Sequence, residues 1–191
     1  RFSGDAKWYL VCQASSNAWT PPYQAAWAAT DRIDDPSSWS PLAPLYDRKP
    51  ENVKGWIDFW VVGDDAKMHL FFTSNDGRMW RAETARSAFP RGWSAPQVVL
   101  QGDIFEASHT YRVKGWDRYL TLVEAQGGGG WRYYKAYTAD RLDGEWTPLA
   151  ADRGRAFASI AHVKQTAGRW TDSISHGELL REGVDERLEV D

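Results

Sequence analysis

A tryptophan that leads into a proline recurs along this chain at nearly constant spacing. Trp39-Ser40-Pro41, Trp93-Ser94-Ala95-Pro96 and Trp146-Thr147-Pro148 stand 54 and 53 residues apart. A period of that length marks a repeated supersecondary unit and narrows the architectures open to the chain. Each motif follows a turn rich in Asp, Gly, Pro or Ser: Asp34-Asp35-Pro36-Ser37, Phe89-Pro90-Arg91-Gly92 and Leu142-Asp143-Gly144-Glu145. Upstream of each lie two strand-like runs. The first of each pair is Lys7 to Val11, Lys67 to Phe72 and Asp117 to Val123; the second is Ala25 to Ala28, Met79 to Ala82 and Tyr133 to Ala136. Short alternating runs separated by Asn-Asp-Gly or Gly-rich turns predict hairpins. Helical periodicity is nowhere sustained. Asp172 to Glu182, around Ser-Ile-Ser-His-Gly, alternates with period two and predicts strand and turn.

Each unit then holds roughly four short strands, and such sheets bury both faces when they are arranged radially around an axis. The expected fold class is all-β, a β-propeller. A two-sheet sandwich is the nearest alternative, but it needs no period. Three units and part of a fourth fit in 191 residues, short of a closed ring. Arg1 and Asp191, the latter in the strand-like run Arg187 to Val190, are therefore read as cuts in a longer chain. Residues 1–191 are expected to be part of a single domain.

Several function classes are disfavoured by composition. Net charge is −3, and no Lys/Arg cluster interleaves with the aromatics as nucleic acid or an anionic membrane would require. No apolar run approaches the roughly 20 residues of a membrane span. Cys12 is alone, so no disulfide or dithiol chemistry arises within these residues, and its apolar neighbours predict a buried thiol. The four glycines from Gly127 to Gly130 make a flexible loop and not a phosphate cradle, since no strand-to-helix transition follows. Twelve Trp residues fill sheet interiors or offer flat faces to sugar rings, and packing accounts for most of them.

Two strands carry an acid among apolar neighbours: Gly55-Trp56-Ile57-Asp58-Phe59-Trp60 and Asp103-Ile104-Phe105-Glu106-Ala107. Asp58 and Glu106 lie 48 residues apart, close to one repeat, which predicts similar positions on adjacent sheets, both directed at the axis. A carboxylate in such surroundings costs several kcal/mol unless paired, solvated or protonated. Taken singly, each could be a structural tie to a neighbouring strand's backbone or to an Arg. As a pair they suit glycoside hydrolysis, which needs one protonated carboxyl and one ionised one. An apolar setting favours the protonated form, which suits Glu106 to the acid role. Asp58 is then the base, or a third acid that orients and tunes Glu106.

At these strands the sequence resembles the family 62 glycoside hydrolases, α-L-arabinofuranosidases acting on arabinoxylan. Matching stretches are Trp56 to Trp60 with Asp64 to Met68, Phe105 to Ser108 with Tyr111 to Gly115, Tyr119 to Ala125, Arg132 to Tyr134, Asp143 to Pro148, and Thr171 to Leu179 with its Ile-Ser-His-Gly-Glu motif. The resemblance implies a five-bladed propeller, of which about three and a half blades are present, and inverting hydrolysis. It places the general acid on Glu106 and the pKa-modulating, substrate-orienting Asp on Asp58. It places the general base on a first blade outside this chain, so the 191 residues alone are expected to be inactive. It further implies a calcium ion at the axis beside His176, and Gln13 pointing into the same channel, although Cys12 and Ala14-Ser15-Ser16 depart from the family pattern there.

Ile57 is expected beside the substrate if that pattern transfers, and Trp56 could offer a stacking face, with core packing as its alternative. Arg132 is expected to reach an arabinose hydroxyl or pair with a catalytic carboxylate, a salt-bridged edge residue being the alternative. His109 is expected to be packed between sheets. The rival functions are a family 43-like propeller glycosidase with β-xylosidase or arabinanase activity, and a carbohydrate-binding propeller without catalysis. Arabinoxylan is the expected partner, with no nucleic acid, membrane or organic cofactor; a secreted, monomeric protein is expected.

Overall fold

The computed structural model describes residues 1–191. Twelve strands form three sheets, and the only helical pieces are three short 3-10 turns. No helix is long and apolar enough to cross a membrane. The first sheet holds β1 (Trp8–Ser15), β2 (Tyr23–Thr30) and β3 (Ala43–Pro44) in that order. The second holds β4 (Ile57–Gly63), β5 (Lys67–Thr73), β6 (Arg78–Ala85) and β7 (Gln97–Gln101), also in chain order. The third combines β8 (Glu106–Val113), β9 (Arg118–Gln126), β10 (Arg132–Ala139), β11 (Thr147–Ala150) and β12 (Glu189–Val190), ordered β11-β10-β9-β8-β12. All pairings are antiparallel except that of β12 with β8.

The period in the sequence is the period of the sheets. Each Trp-Pro motif leads into or begins the last strand of its unit, β3, β7 or β11. The strands β4 and β8 precede the predicted pairs in the second and third sheets and lie next to each other. The three sheets are separate and do not close on one another.

The middle sheet is covered on both sides, which explains why β5 reads as an almost unbroken apolar run. Alternate side chains of a strand point to opposite faces. Leu70 and Phe72 accordingly pack with Ala25, Leu45, Val53, Trp56 and Trp80, toward the first sheet. Phe71 turns the other way, to Val62, Tyr111, Val123 and Trp146, toward the third. Trp146 of the repeat motif meets Phe71 edge-on, at 5.9 Å between ring centres. Burying side chains of this size contributes about 1.5–3 kcal/mol each.

The strand expected between Asp172 and Glu182 is not formed. The stretch makes isolated backbone bonds, from the Ile174 N–H to the Arg132 carbonyl at 3.3 Å and from the Glu182 N–H to the Glu189 carbonyl at 2.9 Å, and buried side chains of the third sheet hold further backbone groups. Glu124 accepts from the His176 N–H at 3.2 Å, Tyr134 Oη from the Gly177 N–H at 2.7 Å, and Tyr111 Oη from the Leu179 N–H at 3.1 Å. Period-two alternation in a segment with no partner strand leaves a pinned loop.

Candidate active site

The site begins with two β-bulges. In the third sheet Glu106 pairs with Glu124 and Ser108 with Val123, so Ala107 is the extra residue. In the second, Ile57 pairs with Thr73 and Trp60 with Phe71, so Asp58 and Phe59 share the place of one residue. Asp58 and Ala107 both take left-handed backbone, with φ of 55° and 53°. Bulges re-aim side chains and recur beside active sites, and non-glycine residues with positive φ are uncommon. Equivalence of the bulges corrects the sequence alignment by one residue: Asp58 matches Ala107, and the counterpart of Glu106 is Ile57. The repeat spacing of 48 is one short because the acids sit at successive bulge positions.

Asp58 nevertheless reaches the strand that carries Glu106. Asp58 Oδ2 accepts from the Ala107 N–H at 3.1 Å, across from the second sheet to the third. Trp60 Nε1 reinforces the junction by donating to the Thr110 carbonyl at 2.7 Å, and its ring lies 4.6 Å from that of His109. Asp58 is a half-buried residue, and the Glu106 side chain keeps 13% of its surface exposed. The structural ties expected of each acid alone are present, a backbone amide for Asp58 and Arg132 for Glu106.

Behind Glu106 lies a charge cluster built by three neighbouring strands. Glu106 on β8 faces Glu124 on β9, and Arg132 on β10 bridges the two carboxylates. Like charges directly opposite in a sheet repel, and the guanidinium offsets that repulsion. Phe105 lies against the same guanidinium, 4.0 Å from ring centre to Cζ. Burial works against the charge on Arg132, but the bonds to Glu124 and Glu106 outweigh it and raise its pKa. Glu124 has no exposed side-chain surface, and it also accepts from the Ser175 hydroxyl at 3.0 Å.

His176 completes the wall, exposed, at φ 50°, with Nε2 3.6 Å from Glu106 Oε1. One donor atom each from Glu106, Glu124 and His176 lies within 4.8 Å of the others. This set does not fit calcium, which takes six to eight oxygen ligands. Arg132 already supplies the positive charge between the carboxylates, and the oxygens of Glu124 are occupied by Arg132, Ser175 and the His176 amide. His176 alone offers a single nitrogen.

Among the remaining expected residues, Arg132 is ion-paired with Glu106 and Glu124, an outcome that both the carboxylate-pairing and the structural salt-bridge readings allow. Ile57 is half-buried beside Asp58. Gln13 Nε2 donates to the Trp56 carbonyl at 2.9 Å and ties β1 to the entry of β4. Trp56 is corrected. It is 5% exposed, with Phe59, Phe72 and Tyr46 around its ring, and presents no face to a sugar. Cys12 is half-buried, and burial raises its thiol pKa. His109 is packed between sheets, with Nδ1 2.9 Å from the Gly177 carbonyl, and burial lowers its pKa. Glu124 was not singled out in the sequence. Its signal was a lone acid within the apolar run Leu120 to Ala125. A cavity of about 310 Å³ lined by Tyr9, Leu10, Phe59, Trp60, Glu178 and Glu186 does not include Asp58 or Glu106.

Two partly exposed acids thus stand at the junction of two sheets, one bonded to a backbone amide and the other to an arginine. The chain belongs to glycosyl hydrolase family 62, whose sequence model matches residues 1–191. It is 38% identical over 191 residues to α-L-arabinofuranosidase C of Cellvibrio japonicus (strain Ueda107), covering 97% of this chain and 29% of that protein. It superposes on the catalytic domain of a family 62 α-L-arabinofuranosidase from Coprinopsis cinerea with a TM-score of 0.89 and 33% identity. That match covers 99% of this chain and 60% of the other. A family 62 hydrolase in complex with xylotriose gives a TM-score of 0.88 at 36% identity, over 100% of this chain and 62% of that one.

Proposed function

We propose that the protein is an inverting α-L-arabinofuranosidase that removes single arabinofuranosyl groups from arabinoxylan. The reading rests on one observation above others: in a family 62 chain, Glu106 stands half-buried at a bulge whose next amide is held by Asp58. In the proposed reaction Glu106 gives its proton to the glycosidic oxygen as that oxygen's bond to the arabinose anomeric carbon breaks and the xylose hydroxyl leaves. Asp58, locked to the Ala107 amide, holds the sugar and its charge against that of Glu106. Arg132 keeps the Glu106 carboxyl in place, and Ile57 lies against the bound sugar. A base that activates water belongs to a part of the domain outside these 191 residues. The chain spans about 60% of the matched catalytic domains, which leaves room for it. Inversion requires that base to stand roughly 6.5–9.5 Å from the acid, with the water between.

On this reading the three sheets are blades of a five-bladed propeller, and the protein is a secreted monomer working where its polymeric substrate lies. The relative bound to xylotriose supports a xylan backbone as the leaving group. Calcium at His176 would rest on one ring nitrogen and water, and no step passes through it. Membership of family 62 leaves the family 43 alternative without support. Arabinose release from wheat arabinoxylan by the full-length protein, compared with Glu106→Ala, tests the proposal. Release by the parent with a loss of roughly 10²–10⁴-fold in the variant is expected. Equal release from both would remove Glu106 from the mechanism, and no release from either would favour a binding module.

A further inference from the structure

Glu124 is a fully buried charge that the proposed reaction does not use. It lies directly opposite Glu106 across β8 and β9, and four separate bonds converge on it. Arg132 reaches it from β10, the Ser175 hydroxyl contacts both its oxygens at 3.1 and 3.0 Å, and the His176 N–H donates at 3.2 Å. Arg132 in turn holds Glu106, while Ser175 and His176 carry the loop that walls the same hollow. One buried carboxylate therefore fixes both the acid and the wall facing it. A side chain serving stability alone would be better replaced by an apolar residue, since a buried ion pair seldom repays its desolvation.

We propose that Glu124 is a positioning residue. Through Arg132 it aims the Glu106 carboxyl at the glycosidic oxygen, and through Ser175 and His176 it holds the loop whose imidazole stands 3.6 Å from that carboxyl. The inference rests on Glu106 being the general acid, so its test separates the two. Glu106 matters most when the leaving group needs a proton. Xylose does, whereas 4-nitrophenolate leaves without one. Misplacing the acid therefore slows arabinoxylan hydrolysis far more than hydrolysis of 4-nitrophenyl α-L-arabinofuranoside.

The experiment compares parent, Glu106→Gln and Glu124→Gln full-length proteins on an arabinosylated xylo-oligosaccharide and on the nitrophenyl glycoside, with melting temperatures for each. For Glu124→Gln, kcat on the oligosaccharide should fall about a hundredfold, KM should stay within threefold, and the nitrophenyl rate should change far less. Parental kcat on the oligosaccharide, or equal losses on both substrates in a folded variant, would overturn the proposal. If Glu124→Gln does not fold, Arg132→Lys, which keeps the charge but loses the planar guanidinium whose Nη1 bonds both carboxylates, is judged by the same criteria. Should Glu106→Gln show no preference for the nitrophenyl substrate, the acid assignment fails, and the role of Glu124 with it. A normal Glu124→Gln beside a selective Glu106→Gln removes only the role of Glu124.

Discussion

The sheets spanning residues 57–150 and the strandless segment from Val163 to Leu188 build the same site by opposite means. In the sheets, main-chain ladders set the strands, and apolar side chains on both faces of β5 lock them to their neighbours. The segment that brings His176 to Glu106 has no strand, and side chains do the work of a ladder: Glu124, Tyr134, Tyr111 and His109 each bind one of its backbone groups. Placement in the first region comes from packing and tolerates the loss of any one polar bond. In the second it comes from a few directional bonds, so removing one should move the loop.

The largest expected difference is in stability. Phe71→Ala opens a cavity among Val62, Tyr111, Val123 and Trp146, and should cost about 3–5 kcal/mol. Denaturant unfolding of the full-length protein measures this, while kcat of the folded fraction should stay near that of the parent. A large fall in kcat would mean that the sheet core and the loop are not separable.

The complementary change is Tyr134→Phe, which keeps the ring and removes the oxygen that accepts from the Gly177 N–H. Leaving that amide unpaired should cost about 1–3 kcal/mol. Unlike the core variant, it should lower kcat on arabinosylated xylo-oligosaccharides by roughly an order of magnitude, because small misplacements beside the reacting bond are expensive. A stability loss with unchanged kcat would show that the loop is not part of the working site.

How far these two regions could be read from the sequence follows the same division. The Trp-Pro period predicted repeated sheets, because each motif leads into or begins the last strand of its sheet. The bulges were hidden, since an extra residue alters register without altering composition, and the Asp58–Glu106 spacing was consequently matched one residue off. Trp56 was offered as a sugar platform because alternation cannot say which of two faces will be covered when both are. The loop was misread as strand for a related reason: Ser173, Ser175 and Gly177 alternate well enough, but what binds them lies 40 to 70 residues away in the chain. Asp58 and Glu106 were legible because an acid amid Ile, Phe and Trp needs an explanation.

The smallest expected effect concerns the far end of the strandless segment. Glu186 is held down at about 2: burial alone would raise it, and the bonds from Ser3 and Arg86 outweigh burial. Its folded value lies below its unfolded one, so its contribution to stability is complete above the usual glutamate range of about 4.5 and is lost as pH falls toward 2. Melting temperatures recorded across that interval should decline less steeply in Glu186→Gln than in the parent. Parallel declines would place the acid sensitivity elsewhere.

The central claim is that Glu106 and Asp58, carried by bulges on two sheets, act on one glycosidic bond. A crystal structure of full-length Glu106→Gln with an arabinosylated xylotriose tests it most directly. The account predicts the side chain at position 106 within about 2.6–3.2 Å of the oxygen joining arabinose to xylose, with Asp58 bonded to the same arabinose. An arabinose seated elsewhere, with neither residue in contact, would contradict it.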